Sequence, residues 1–363
     1  MINAQQLTDE QLTDKQHEFL EVLNILRPKI EYDTKGVVGF YEFYEGKKKV
    51  EIPGHRIDNK YIEDISLLAT LPDMEYLRLK GCITPDFSVL KKAKKLKEFK
   101  ILKHETQIDV NSIFEINQLE NLNISESKYF KGTTLTGIEG LTKLKSLKLY
   151  DLPITDISAI SKLKNVEIID ITSLKVENTG DWSSLKFLRD LTIFDCNIYN
   201  VDFLQNILTL EVLTIKDNNL ESFNLKNTKK LFYLNLNRNN ISSLGNIGEA
   251  SNLTGLELTS NNLSDITGLT NLKNLKLLSI NRNHIADVCE LALNKNLERL
   301  DIGNNPIGDI SCLKELPNLK DIDARKTCFC NPENLKELKE GVSCNAFEKF
   351  LVSIYQFILG LFN

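Results

Sequence analysis

Apolar residues recur along the chain in short segments that alternate with polar residues in a fixed frame. Examples are LTIKDNNL from Leu213, LNLNRNNI from Leu234 and LELTSNNL from Leu256, which share the pattern L-x-L-x-x-N-x-L/I; such segments start 22 residues apart or very nearly so. Because alternate residues of a strand point to the same face, both leucines of L-x-L point inwards. Each segment therefore predicts one short strand of a repeated coil.

Two further repeated positions complete the coil. The asparagine at the sixth position predicts the end of the strand, because its side chain can satisfy backbone groups at the turn. This ladder asparagine recurs at Asn218, Asn239, Asn261, Asn283 and Asn305. A D-I-S/T-x-L segment follows several strands, as in TDISAI from Thr155, and predicts short helical turns on the opposite side. Since a single coil buries too little surface alone, we expect about 13 coils to stack on one parallel sheet.

These motifs resemble the 22-residue leucine-rich repeat of bacterial internalins, which is similar to that of a regulator of protein phosphatase 1. The resemblance covers residues 53–327 and implies an α/β repeat fold, a right-handed solenoid or horseshoe with a parallel sheet on its concave face and helical caps at both ends. It also implies a protein-binding role, although members of the family bind unrelated partners. The chain departs from the pattern where Leu152, Leu174 and Cys196 replace the ladder asparagine, and at an insertion over 127–134.

The two ends of the chain predict caps for the open ends of the repeat array. Residues 1–52 combine apolar positions at helical spacing, from Leu12 to Leu26, with a β-rich stretch that predicts a hairpin around Glu45-Gly46-Lys47. Residues 328–363 predict two helices, and the last one, over 346–363, carries only a narrow polar stripe. We expect this helix to pack on the last coil; a homodimer contact or a membrane-surface contact are the alternatives.

Composition bears on the compartment and on the class of partner. The formal net charge of −5 does not suit a nucleic-acid partner. The N-terminus lacks the basic start and apolar run of a secretory signal, and the seven cysteines, an odd number, favour a reducing compartment. We expect Cys82, Cys196, Cys289 and Cys312 to act as small apolar residues within the coils. These observations predict a cytoplasmic protein; the alternative is a secreted or cell-surface protein after removal of a signal.

Catalytic and metal-binding motifs are not recognisable in the sequence. The four histidines are His17, His55, His104 and His284. None of them adjoins a serine, cysteine or carboxylate in a catalytic arrangement, and there is no glycine-rich phosphate loop. The cysteines near the C-terminus, Cys312, Cys328, Cys330 and Cys344, lack the paired spacing of a zinc site, although zinc or a disulfide there is an alternative. We expect no enzyme activity, metal, cofactor or small-molecule substrate.

The residues that flank the inward leucines face out of the predicted concave sheet. In the first coils they are basic (Arg56, Arg78, Lys80, Lys100, Lys103, Lys148), and in the last coils they are acidic (Glu257, Asp301, Asp321, Asp323). In the middle coils, aromatic residues among charges resemble an interface hot spot; lateral packing of these rings along the sheet is the alternative. The predicted partner-binding residues are Tyr150, Asp151, Asp170, Phe194, Asp195, Lys216, Asp217, Tyr233, Asn237 and Arg238. The insertion, with Tyr129 and Phe130, is a second candidate.

These patterns predict a non-enzymatic scaffold that binds another protein through its concave face. Such a scaffold would regulate its partner, as an inhibitor or an immunity-type protein does. The alternative is an exported, internalin-like adhesin that binds a host or cell-surface protein.

Overall fold

The computed structural model describes residues 43–44, 47–53, 65–66, 68–70, 74–80, 86–103, 107–127, 129–225 and 228–327. The chain divides into two compact units, 1–188 and 189–363, which are described separately below. The predicted N-terminal helix, the predicted cap over 328–363, and the residues Cys82, Cys328, Cys330 and Cys344 lie outside the described residues. The same holds for His17, His55 and His104.

The described residues of the first unit include seven strands, which neighbour one another in chain order. They are β1 (Phe43–Tyr44), β2 (Lys47–Pro53), β3 (Met74–Lys80), β4 (Glu98–Leu102), β5 (Asn121–Ser125), β6 (Ser146–Tyr150) and β7 (Ile168–Thr172). β1 pairs antiparallel with β2, where the sequence predicts a hairpin, and β2 to β7 pair in parallel. One short α-helix, α1 (Val110–Phe114), begins after Asp109, whose carboxylate accepts from the Asn111 amide.

In the part of the second unit that the structure describes there are seven strands, all parallel to their neighbours in this unit. They are β8 (Asp190–Phe194), β9 (Val212–Lys216), β10 (Tyr233–Asn235), β11 (Gly255–Glu257), β12 (Leu277–Ser279), β13 (Arg299–Asp301) and β14 (Asp321–Asp323). In both units the apolar residue at the first position of L-x-L, which is phenylalanine or isoleucine on some strands, lies in register with its counterparts on neighbouring strands. Leu213, Leu234 and Leu256 form one such row and are fully buried. Each buried leucine contributes about 2 kcal/mol of hydrophobic stabilisation, so the rows hold the strands in stacked coils.

Short 3-10 helices return the chain on the opposite side of most of the described coils, as the D-I-S/T-x-L segments predict. The first unit has Leu68–Thr70, Ser88–Lys92, Ile138–Gly140 and Ser158–Lys162, and the second has Asp202–Leu204, Ile247–Glu249, Thr267–Asn271, Cys289–Leu293 and Ser311–Glu315. The aspartate of the motif has a role that the sequence interpretation did not include. Asp156 and Asp309, for example, accept from the amides of Ser158 and Ser311 at 2.9 and 2.8 Å, which starts the helical turn.

The ladder asparagines of the second unit are buried and bridge successive coils, as predicted. The Asn261 amide donates to the Leu236 carbonyl of the preceding coil at 3.0 Å and to the Leu258 carbonyl of its own coil at 3.1 Å, while its oxygen accepts from the Ile241 amide at 3.0 Å. Asn218 compensates for the missing asparagine at Cys196, since its oxygen accepts from the Cys196 and Ile198 amides. These bonds satisfy the backbone groups that the ended strands leave open.

Candidate partner-binding surface

Four of the predicted binding residues occupy one special backbone position. Asp151, Asp195, Asp217 and Arg238 stand directly before the ladder position and have φ between 49° and 55°. This left-handed conformation turns the chain off the end of the strand, and the amide of each residue donates to a carbonyl of the next coil, as from Asp217 to Asn237 at 3.0 Å. Their side chains therefore project from a fixed backbone at the C-terminal ends of the strands.

In the first unit, Tyr150 is tied to its neighbour on the next strand. Its hydroxyl donates to Asp170 Oδ2, and the Lys148 ammonium lies 3.9 Å from the same oxygen. The pKa of Tyr150 is raised above its ordinary value, chiefly because the ring is half-buried. The hydrogen bond that its hydroxyl donates to Asp170 and the negative charge of that carboxylate raise the pKa further. Tyr150 therefore stays protonated and acts as a hydrogen-bond donor. We call Tyr150, Asp151 and Asp170 the first-unit patch.

In the second unit, four side chains form a chain of cation–π and ion-pair contacts. The Lys216 ammonium lies 5.4 Å from the centroid of the Phe194 ring and 3.8 Å from Asp217 Oδ2. Arg238 Nη1 lies 3.2 Å from Asp217 Oδ1, and its side chain is 62% exposed. The Phe194 ring is half-buried beside its neighbours, and Asp195 is exposed. We call Phe194, Asp195, Lys216, Asp217 and Arg238 the second-unit patch.

Tyr233 does not face solvent, contrary to the sequence interpretation. It is 3% exposed, and its hydroxyl donates to Glu257, whose second oxygen accepts from Asn235 at 3.1 Å and from Asn237 at 2.6 Å. Burial raises the pKa of the Glu257 carboxyl, and the hydrogen bonds from Tyr233 and Asn237 act in the opposite direction. Tyr233 and Asn237 thus belong to a buried polar cluster around Glu257 and not to an open aromatic surface.

The acidic residues expected on the last coils are largely withdrawn from solvent. Glu257, Asp301 and Asp323 are at most 6% exposed, and only Asp321 is half-exposed, where it pairs with Arg299 at 3.3 Å. Asp301 accepts from Asn281 at 2.9 Å and from the Gly303 amide at 3.1 Å. Burial raises its pKa to about 6, and the Asp323 charge adds to the shift. These buried carboxylates therefore influence the stability of the fold and are not accessible to a binding partner.

Replacing Asp301 by asparagine is expected to flatten the dependence of stability on pH. The pKa of Asp301 in the folded state, about 6, exceeds the ordinary value of 3.8, so the folded chain binds the proton more tightly than the unfolded chain does. Its contribution to stability is complete below pH 4 and is lost as the pH rises through 6. At pH 7.5 we expect Asp301→Asn to raise the free energy of unfolding by about 2 kcal/mol. This value takes about 1.4 kcal/mol for each pKa unit and subtracts the cost of the one hydrogen-bond acceptor that asparagine lacks.

Urea unfolding of both proteins at half-unit steps from pH 4.5 to 7.5 measures this change. The matched control is Asp309→Asn, because Asp309 is exposed, its pKa is lowered by the Ser311 amide and hydroxyl, and asparagine keeps the capping bond. That control should keep the wild-type profile. An Asp301→Asn protein that still loses stability between pH 4.5 and 6.5 as wild type does contradicts the prediction.

Exposed apolar side chains lie at positions that the sequence analysis did not select. Among the described residues, Phe187, Tyr199, Leu208 and Leu293 are more than half exposed, and none of them lies on a strand. In the insertion, Tyr129 is 59% exposed, whereas Phe130 is buried and bridges to Ile108. Of the two insertion residues, only Tyr129 can therefore serve as a contact.

Two of the cysteines are joined, contrary to the expectation that they are separate apolar residues. Cys289 and Cys312 form a disulfide between the 3-10 helices of successive coils, 23 residues apart. Both residues are half-buried. Cys196 is a buried free thiol, as expected. The bond joins Cys312, one of the C-terminal cysteines for which a disulfide is an alternative, to Cys289, which is not one of them.

Within the described ranges, no group of histidine, cysteine and carboxylate side chains could hold a metal ion. His284 is exposed. A search of the same residues finds no helix with the length and apolar character needed to cross a membrane.

Comparisons with known proteins support the fold. No protein-family model matches the chain, and no curated protein matches its sequence. Among solved structures, an internalin (inlF) from Listeria monocytogenes is 24% identical, with a TM-score of 0.72 over 90% of this chain and 94% of that chain. The protein LIC12759 of Leptospira interrogans, with leucine-rich repeats, is 20% identical, with a TM-score of 0.61 over 77% and 80%.

A third structure is an octameric complex of latrophilin 3, Unc5D and the leucine-rich repeats of FLRT2. It is 18% identical, with a TM-score of 0.58 over 69% of this chain and 84% of that one. Identities of this size establish the fold and not the function. The fold predicted from the repeat is thereby confirmed, and the chain has an internalin-type leucine-rich-repeat fold.

Proposed function

We propose that the chain is a non-enzymatic scaffold that binds a folded protein through the outward face of its parallel strands. The observation that carries the proposal is the second-unit patch, where Phe194 and Lys216 on the sheet face adjoin Asp217 and Arg238 at the ends of the strands. Aromatic and arginine side chains are typical of interface hot spots. Binding would regulate the partner, as binding by an inhibitor or an immunity-type protein does.

The first-unit patch supports the same role in its own unit. Tyr150 presents a half-buried ring whose hydroxyl is fixed by Asp170, and Asp151 beside it is exposed. The complex that contains the repeats of FLRT2 is an instance of this fold in a protein assembly. Tyr233 is left out of the proposed contact surface because it is buried.

Affinity capture with the full-length chain tests the proposal. Two variants disrupt the patches separately: Tyr150→Ala/Asp170→Lys and Phe194→Ala/Arg238→Glu. The control, Lys162→Glu/Lys314→Glu, changes exposed lysines on 3-10 helices, away from the strands. We expect at least one protein that wild type and control both capture to be recovered in a tenfold or more lower amount with a patch variant, as measured by quantitative mass spectrometry. A direct titration of that protein should show a tenfold or greater loss of affinity. Equal capture by all four proteins overturns the sheet-face proposal.

An exported, adhesin-like protein is a second candidate, and the Cys289–Cys312 disulfide favours it, since disulfides persist in oxidising compartments. Thiol titration of the denatured protein from its native source separates the two compartments. A cytoplasmic protein should show all seven cysteines as thiols, whereas an exported one should show at most five, seven less the bonded pair.

A further inference from the structure

A basic row runs across the sheet face of the first unit. The middle residue of L-x-L is Arg78 on β3, Lys100 on β4, Asn123 on β5 and Lys148 on β6, and neighbouring strands hold these residues in register. Two strand spacings, roughly 10 Å, separate the backbones that carry Lys100 and Lys148. Between these lysines, β5 contributes only short, neutral side chains to the sheet face.

A recess lies in this gap. It has a volume of about 290 Å³ and is lined by Glu98, Lys100, Asn121, Leu122, Asn123, Ser146 and Lys148. Leu122 is buried beneath it. Small polar residues on β5 thus leave room for one foreign side chain between two lysines.

The lysines at the recess make weak contacts that a ligand can replace. Lys100 lies 2.8 Å from Glu98 Oε1 and 5.2 Å from the centroid of the Tyr76 ring, and its side chain is 34% exposed. Lys148 is 3.9 Å from Asp170, whose contacted oxygen already accepts from Tyr150, and its side chain is 41% exposed. Partly exposed ion pairs contribute only about 0–1 kcal/mol. Either ammonium can therefore turn to a better-placed carboxylate at little cost.

Asn123 brings an unmet hydrogen-bonding need to the same recess. Its side-chain oxygen is buried and has no hydrogen-bond partner. A carboxylate has no hydrogen to donate to this oxygen, so the attraction of a carboxylate to the recess comes from the ammonium groups of Lys100 and Lys148. These two ammonium groups border a site of carboxylate size, with the uncharged Asn123 between them.

We infer that this recess binds an aspartate or glutamate side chain within an acidic segment of the partner protein. The inference rests on the proposed function and gives the partner its chemistry. A protein is favoured over nucleic acid because the basic row ends at Asp170 on β7, in register with Lys148, and the formal net charge is −5, whereas nucleic-acid sites have extended basic surfaces.

Fluorescence anisotropy with a labelled hexaglutamate peptide tests the site. The full-length chain is titrated at 20 and 200 mM salt, beside Asn123→Asp, Lys148→Gln and the control Lys143→Gln. All three substitutions lower the formal charge by one, but Lys143 lies exposed in the turn before β6 and not at the recess. We expect wild type to bind, with at least fivefold weaker binding at high salt. Asn123→Asp and Lys148→Gln should weaken binding tenfold or more, and the control should stay within twofold.

Two results overturn the inference: no binding of the peptide by wild type, or an equal loss in all three variants. A labelled hexathymidylate that binds more tightly than the peptide overturns it as well, since the site would then suit nucleic acid. These failures are distinguishable from failure of the proposed function. If capture of a protein depends on the patches but the recess does not bind the peptide, the proposed scaffold function stands. Only the inference that the partner carries an acidic segment then fails.

Discussion

Replacing Asn261 by leucine is expected to lower the free energy of unfolding by about 3 kcal/mol. The buried Ile241 amide is left without a partner, at about 1–3 kcal/mol, and two carbonyls that also accept from Asn239 and Asn283 each lose one hydrogen bond, at about 1 kcal/mol. The groups are the carbonyls of Leu236 and Leu258 and the amide of Ile241, all within 3.1 Å of the Asn261 side chain. Leucine matches the residue found at the ladder position of other coils, such as Leu174. Its apolar character alone therefore does not exclude it from the coil.

Urea unfolding followed by circular dichroism measures the loss, and hydrogen exchange at the Ile241 amide locates it. The neighbouring Asn262 provides the control, since it is exposed and its side chain lies outside the ladder. Asn262→Leu should shift the free energy of unfolding by less than about 0.5 kcal/mol, with unchanged exchange at Ile241. If both variants lose the same stability, the ladder bonds are not what Asn261 contributes.

The repeat made the fold predictable because each inward position is stated again in every coil. Leu213, Leu234 and Leu256 occupy the same place in their coils, so one reading of strand alternation gave the register of three strands. The asparagine ladder followed in the same way. The left-handed residue before the ladder was not predicted, because Asp217, Arg238 and Ser260 share this backbone conformation without sharing a side-chain type.

The sheet face was less predictable, because alternation gives the direction of a side chain but not what fills the space around it. Glu257 and Tyr233 both point to the sheet face, yet each buries the other across one strand spacing. Such pairings join residues more than 20 positions apart and depend on side-chain size in the adjacent coil. Charged residues at the ends of strands, such as Arg238, are not buried in this way. At the strand ends the predicted contact surface is therefore exposed.

The disulfide had a signal in the sequence that composition obscured. An odd number of cysteines argues against a disulfide framework, but Cys289 and Cys312 lie 23 residues apart, one residue more than the repeat. Residues one repeat apart stand beside each other on adjacent coils, and these two have a Cα–Cα distance of 5.3 Å. In a solenoid, cysteine spacing therefore has to be judged against the repeat length as well as by number.

Removing this disulfide is expected to lower the free energy of unfolding by about 3 kcal/mol, the loop-closure value for a cross-link that spans 23 residues. The variant is Cys289→Ser/Cys312→Ser, because serine keeps the size of both half-buried side chains and leaves no unpaired thiol. Urea unfolding of wild type and variant, each with and without a phosphine reductant, measures the effect. Reduced wild type should unfold at the urea concentration of the double variant, since the bond is absent from both.

The double variant itself serves as the control for the reductant, which should not move its unfolding midpoint. Intact mass after alkylation of the denatured protein reports whether the bond is present in the wild-type sample. A wild type that carries the bond by mass, yet unfolds at the same urea concentration before and after reduction, contradicts the prediction. In that case the stacked leucines alone hold the coils of the second unit at residues 289 and 312, and the bond does not constrain the unfolded chain.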